Sequence, residues 1–533
     1  MNSVIEATLN VNKIESSFSI FFNRFHISTL FHQCRIEKKR GIPCPHLFTF
    51  VLLLLFTGKN LYRHYHPCST STKKGKQPAS LVKQKPSTKQ KLSAKPKHAY
   101  GDDTVYRFLQ DATFHWKKFL TLLTKRIIYQ FLQPLNEPDR VTVFTIDDTL
   151  LRREESDDVE LLSRHHDHSH QTKKNMVKGF NLLTLGYDDG STFLPVDFTL
   201  MTAPKYYVHP WESRQWKQEL QPSSLAYQRR EVSTLEKPVV ALQMLKRAMK
   251  QGIIASYVLF DSWFASSSLI KKISKETGMD TICMLKRGTT LFGYQHKMLT
   301  LSSLFDACKK RYGKNGKQGG KAIEIDDKTK LFGSLVVTMG KKTKQKGNKG
   351  SKGSKVSGKG TNLEEPEDFL VKIVFVQNRN KKAKQRVWLA ILSTDISLSD
   401  EEIIRIYGKR WDIEVFFKSI KSLLKVEKEY HLQKFDSINA HIAIVCCRYC
   451  YLAWLSRIQQ DPRTIGDLFY QVFDEMEDLR FKEALERVIK MFLVFLQDTL
   501  PEVAAKIKEL FTLFVRSLPC YMLQSLDILI CGE

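Results

Sequence analysis

The spacing of apolar positions changes character near residue 141. Upstream, in 1–66 and again in 103-DTVYRFLQDATFHWKKFLTLLTKRIIYQFL-132, apolar residues recur at three- and four-residue intervals, the pattern of helices that bury one face. From Val141 the run VTVFTI is short, β-branched and aromatic and reads as a strand, ending abruptly in Asp147-Asp148-Thr149. The segment 178-KGFNLLTLGYDDGSTFLPVDFTLM-201 reads as a hairpin turning at Asp189-Gly190, two residues that tolerate positive φ. Residues 235–251 return to helical spacing, and 253-IIASYVLF-260 is a further apolar strand closed by Asp261.

Beyond residue 286 the pattern is mixed and strand-rich, with candidate strands at 369–378 and 386–394. Residues 399–457 and 464–530 are helical, the second stretch interrupted by Pro501 and Pro519. Alternating strands and helices place the chain in the α/β class. The expected organisation is a helical N-terminal region (1–66 and 100–140), a core in two parts (141–285 and 396–460), a β-rich insertion between them (286–395) and a helical C-terminal region (461–533).

At 533 residues the chain is too long for one compact core, and 42% hydrophobic content supplies enough apolar surface for several units. The net charge of +28 points to a polyanionic partner, most simply nucleic acid. Much of that excess sits in two tracts: an insert at 67–99 with nine lysines and a loop at 341–360 with eight, neither holding an acid. These read as solvated segments able to touch phosphates without sequence preference. Ten cysteines show no pairing pattern, and Cys446, Cys447 and Cys450 lie in an apolar helical stretch as packing groups, so a reduced, cytoplasmic chain is expected. The run 47-LFTFVLLLLFTG-58 is too short to span a bilayer and reads as a buried helix. No targeting segment and no membrane partner are expected.

Chemistry concentrates in 407-YGKRWDIEVFFKSIK-421. On one continuous helix, at about 100° per residue, Tyr407, Arg410, Glu414, Lys418 and Lys421 share a stripe roughly 80° wide. Ile413, Phe416, Phe417, Ile420 and Leu424 form the opposite, buried face. Exposed i,i+4 ion pairs would produce the same stripe. Combined with Asp148 and Asp261 at strand ends, however, Glu414 supplies a third carboxylate. Three such groups suit hard cations such as Mg²⁺, which can activate water or a 3′ hydroxyl and stabilise a leaving phosphodiester oxygen.

These residues resemble the signature of the DDE transposases of bacterial insertion sequences, specifically the insertion-sequence-four family: Tyr, two residues, Arg, three residues, Glu, six residues, Lys. Tyr407, Arg410, Glu414 and Lys421 match at every spacing. Asp148-Thr149 and Asp261, in 257-YVLFDSWF-264, are similar to the family's first and second aspartates. The resemblance covers roughly residues 100–460. It implies a ribonuclease-H-like catalytic core interrupted by a β-rich insertion. It implies Asp148, Asp261 and Glu414 as ligands of two Mg²⁺ or Mn²⁺ ions. It also implies Tyr407, Arg410 and Lys421 at the DNA, with Trp388 placed to stack on a displaced base. The implied activity is cut-and-paste transposition on terminal inverted repeats and target double-stranded DNA, by at least a dimer, at the bacterial nucleoid.

Other residues carry weaker readings. Asp147 is expected to point away from Asp148, outside the metal site. Lys418, and Lys286 with Arg287 after a strand near Asp261, could touch phosphate, as could Arg229 and Arg230. The tract 165-HHDHSH-170 reads as an exposed loop. Two further functions compete: an inactive relative that only binds DNA, and a phosphatase built on the Asp147-Asp148 run. The phosphatase reading needs an aspartate nucleophile two positions before Asp147, where Thr145 stands.

Overall fold

The computed structural model describes residues 17–57, 61–65, 101–137, 139–166, 176–315, 323–326, 329–339, 369–378, 388–428 and 432–458. Both lysine tracts and the expected helices of 464–530 lie outside the described residues.

The strands are β1 (Val143–Arg152), β2 (Ser163–His166), β3 (Met176–Asp188), β4 (Phe193–Met201), β5 (Tyr257–Phe260), β6 (Asp280–Leu285), β7 (Leu291–Tyr294), β8 (Lys297–Thr300), β9 (Ile323–Asp326), β10 (Thr329–Met339), β11 (Leu370–Gln377) and β12 (Trp388–Ser393). They form one mixed sheet in the order β2-β3-β1-β5-β6-β12-β11-β10-β7-β8, with β4 beside β3 and β9 beside β10. β1 is the pivot. It runs antiparallel to β3 and parallel to β5, which is parallel to β6. β12 then pairs antiparallel with β6, so the strands of 286–395 extend the same sheet.

The predicted hairpin is β3–β4, and Gly190 at its turn has φ of 85°. A Cβ there would also come within 2.8 Å of the Lys409 ammonium, so glycine serves both backbone and close approach. β1 runs further than its apolar pattern suggests. It continues through both aspartates to Arg152, because β3 supplies a hydrogen-bonded partner as far as Gly179. Its parallel partner β5 stops at Phe260, opposite Ile146, so the acidic pair lies where β1 has just lost a neighbour.

Alternation along β1 divides the sheet into two faces. Phe144 and Ile146 join the larger core, which includes Val240, Ala241 and Met244 of the helix Lys237–Lys250. Val143 joins Leu259, Ile282, Ile403 and Ile406 in a second cluster, under the helix Asp400–Gly408.

The N-terminal helices Ser17–Arg24, Ile27–Gln33 and Cys44–Leu54 pack with Asp102–Gln110 and Trp116–Ile127 around the helix Phe435–Ile458. The run 47–58 is thus a buried helix, as read. Phe435–Ile458 is long and apolar enough to cross a bilayer, yet its apolar stretch is wholly buried within the fold. Its Arg448, fully buried, donates to the carbonyls of Leu52 at 2.9 Å and Val51 at 2.6 Å, closing the C-terminal end of Cys44–Leu54. Cys446, Cys447 and Cys450 are buried in the same helix, and burial raises their thiol pKa values.

Arg229 and Arg230 are buried ion-pair partners and not solvated phosphate contacts. Arg229 pairs with Asp436, and Arg230 reaches Asp436 at 2.9 Å and Glu160 at 2.7 Å. Two adjacent guanidiniums thereby fasten the start of the core helix.

Candidate active site

The two aspartates of β1 point to opposite faces, as alternation requires, and the face decides their partners. Asp148, on the side of Phe144 and Ile146, meets the first residue of the helix Lys237–Lys250: Lys237 Nζ donates to its Oδ2 at 2.7 Å. Asp147, on the side of Val143 and Thr145, meets Arg410, whose Nη1 donates to its Oδ2 at 3.1 Å. The same Nη1 lies 3.4 Å from Glu414 Oε1. One guanidinium thus bridges the carboxylates of Asp147 and Glu414.

Asp261 follows directly after β5. Ile146 and Phe260 are the last register partners, so Asp147 comes next on β1 and Asp261 is the first residue past β5. Their charges interact. Burial first, then Asp261, pushes the Asp147 carboxyl up to about 7, and Glu414 adds to the rise while Arg410 opposes it. Burial raises Asp261 as well, with the Trp263 amide donating to its Oδ1 at 2.9 Å and Arg410 opposing, and Asp148 adds to the rise. The acidic group therefore includes Asp147, which the sequence reading had placed outside it. The missed signal is the Arg410 contact to Asp147, and it needs the tertiary structure.

The stripe of 407–421 is built from two helices. Asp400–Gly408 ends and Trp411–Ser422 begins across a turn at Lys409-Arg410, where the Arg410 amide donates to the Tyr407 carbonyl at 3.0 Å. Gly408 and the turn remove Tyr407 from the axis carrying Glu414, so the single-helix wheel does not hold there. Tyr407 packs against the second cluster, and burial raises its phenol pKa. Downstream the wheel holds: Ile413, Phe416, Phe417, Ile420 and Leu424 are buried, Glu414 is half-exposed and Lys418 is exposed. Lys421 donates to the Leu150 carbonyl at 2.7 Å. Arg153 donates to the Glu427 carbonyl at 2.7 Å. With Arg410, these contacts fix Trp411–Ser422 along β1.

Trp388 does not offer a stacking face. It is 8% exposed, stacked against Phe305 with ring centroids 4.5 Å apart, and covered by the Arg287 guanidinium at 4.0 Å. Arg287 also donates to the Trp388 carbonyl at 3.2 Å, and both it and Lys286 beside it are exposed. Two tryptophans near the acids are exposed: Trp411, which follows Arg410, at 65%, and Trp263 at 55%, with Lys237 4.8 Å from the Trp263 ring centroid. Trp263 lines a cavity of about 520 Å³ with Lys237 and His165. His165 belongs to β2 and not to an exposed loop, its Nε2 2.8 Å from Ser163 Oγ, and burial lowers its pKa to about 4. The rest of that histidine tract lies outside the described residues.

Residues 80–315 match the family described as DDE superfamily endonuclease. Residues 238–451 match the family described as transposase DDE domain. The chain is similar to DDE transposases. The first match spans Asp147, Asp148 and Asp261, and the second spans Asp261 and Glu414, so the two overlap on the middle acid. A comparison with curated proteins finds no match. The domain matches point to a nuclease-type enzyme whose substrate is DNA.

Among the described residues, no three His, Cys, Asp or Glu side chains stand together as a ready metal cluster. Arg410 fills the space between Asp147 and Glu414 instead.

Proposed function

We propose that the chain is a DNA transposase of the insertion-sequence-four type. Its core would be ribonuclease-H-like, and its catalytic carboxylates Asp147, Asp261 and Glu414. The observation that carries this reading is the Arg410 bridge between Asp147 and Glu414, with the Asp261 charge acting on Asp147. The strand order β4-β3-β1-β5-β6, three antiparallel strands followed by two parallel ones, is what a ribonuclease-H-like core requires.

The donor set fits a hard divalent cation. All three groups are carboxylates, and burial first, then the Asp261 charge, holds the Asp147 proton to about pH 7, a cost of ionisation that a bound cation would offset. Bound Mg²⁺ or Mn²⁺ would supply an activated water or 3′ hydroxyl and a stabilised leaving oxygen. Asp147, Asp261 and Glu414 would hold the ions once Arg410 turns outward. Arg410 and Lys418 would then position the scissile phosphate. Tyr407 supports Arg410 from below, and Asp148 stays with Lys237. Excision and joining would act on terminal inverted repeats, with two copies holding two ends.

The test is cleavage of duplex DNA bearing the element's ends, with Mg²⁺ or Mn²⁺. Asp147→Asn, Asp261→Asn and Glu414→Gln should each abolish cutting while leaving binding. Full cutting by the Glu414→Gln protein would sink the assignment. Wild-type binding without cutting would favour the inactive relative.

A further inference from the structure

A second charged cavity lies away from the acids, about 310 Å³ in volume, between β4 and the helices Trp116–Ile127, Leu225–Ser233 and Lys237–Lys250. His115, Lys117, Lys118, Arg247 and Lys250 line it, with Asp197 as its acid. Asp197 is buried on β4 and accepts from Arg247 Nε at 2.8 Å. Lys117 Nζ donates to Thr199 Oγ1 at 3.1 Å and lies 5.9 Å from the Phe198 ring centroid.

One carboxylate therefore serves two cations, and the account does not close. Arg247 Nη2 is shielded from solvent and has no hydrogen-bond partner among the described residues. A buried donor left in that state costs about 1–3 kcal/mol. Burial pushes the Lys117 ammonium down to about 7, with Asp197 opposing and Arg247 and Arg229 adding to the fall. Arg229 is itself balanced by Asp436. What the cavity lacks is a second anion with several acceptor oxygens.

We propose that this cavity binds a phosphate group, held by Lys117, Arg247 and Lys250, and that the phosphate belongs to the backbone of bound DNA. A guanidinium and an ammonium facing one tetrahedral anion are the usual means of holding it. The assignment to DNA rests on the transposase reading and on one relationship in the fold. The helix Lys237–Lys250 begins at Asp148's partner and carries Arg247 ten residues on, about 15 Å along its axis at 1.5 Å per residue. That span is about four base steps of 3.4 Å along a duplex strand. A backbone that passes Lys237, on the Asp148 side of β1, can therefore reach the cavity.

The experiment uses the full chain, a short fluorescent duplex and inorganic phosphate. Lys117→Met removes a charge and keeps the Arg247–Asp197 pair. Arg247→Lys keeps that pair and removes the fork. Lys250→Ala, at an exposed position, guards against misfolding of the other two. Each should weaken duplex binding about tenfold, and Lys117→Met and Lys250→Ala, which remove a charge, should flatten the slope of log affinity against log salt by about 0.9. Thermal midpoints should stay near wild type. Stabilisation by inorganic phosphate that the variants lose, with duplex affinity unchanged, would retain the phosphate site and overturn its assignment to DNA. Unchanged affinity, slope and phosphate response would overturn the proposal. Failure of the wild-type protein to bind duplex at all would instead count against the transposase reading.

Discussion

Arg410 Nη1 donates to Asp147 at 3.1 Å and reaches Glu414 at 3.4 Å, from the turn that joins two helices. A cation from the protein thus stands between two acids that a DNA-cutting centre would present to metal. It also makes Asp147, and not Asp148, the β1 aspartate on the side of Glu414.

That relationship separates the two aspartates experimentally. Asp147→Asn should lower metal-dependent cleavage about 10³-fold or more, the scale of losing several kcal/mol of metal-based stabilisation. Asp148→Asn, which loses only the Lys237 contact, should cost far less. The reverse order in a single-turnover cleavage assay would return the role to Asp148.

Protonation of Asp147 sets a pH dependence. Its folded pKa is raised from 3.8 to about 7, so the folded state holds a proton that the unfolded state releases. Stability from the neutral carboxyl is complete below pH 3.8 and is lost as pH rises towards 7. Without metal, the thermal midpoint should show that downward contribution, and Asp147→Asn should flatten it. Mn²⁺ competes with the same proton, so its stabilising effect in a melting assay should be larger above pH 7 than below it.

The two tryptophans should behave differently. Trp388→Ala leaves a hole between Phe305 and Arg287 and should cost about 3–5 kcal/mol in denaturant unfolding. Trp263→Ala should leave unfolding nearly unchanged and weaken DNA binding by about 1–3 kcal/mol, the range for one stacked base. Equal loss of DNA affinity in both, with no loss of stability in either, would contradict this division.

Asp436 balances two buried guanidiniums. Asp436→Asn leaves Arg230 with Glu160, and Arg229 with only the Ala112 and Phe114 carbonyls, and should destabilise the fold by about 3–5 kcal/mol. The measurement is urea unfolding, and a change under 1 kcal/mol, about the value of a surface pair, would show the cluster to be solvated.

Local pattern was enough for much of the fold. Alternation and turn chemistry located β1, β5 and the β3–β4 hairpin, and three-four spacing located the helices of 17–57, 237–250 and 411–422. Those signals are written within a few residues of chain. The spacing from Arg410 to Glu414 was legible for the same reason, since both sit at one helix end. Three features were decided only by tertiary structure. β1 continues through its acids because β3 is there to pair with it. Trp388 is covered because Phe305 and Arg287, distant in sequence, close over it. Asp147 meets Arg410 beside Glu414, and Asp148 meets Lys237, because the helices Trp411–Ser422 and Lys237–Lys250 lie on opposite sides of β1. An alternating strand declares that neighbouring side chains part ways. Which of them meets Arg410 and Glu414 depends on a helix more than two hundred residues away.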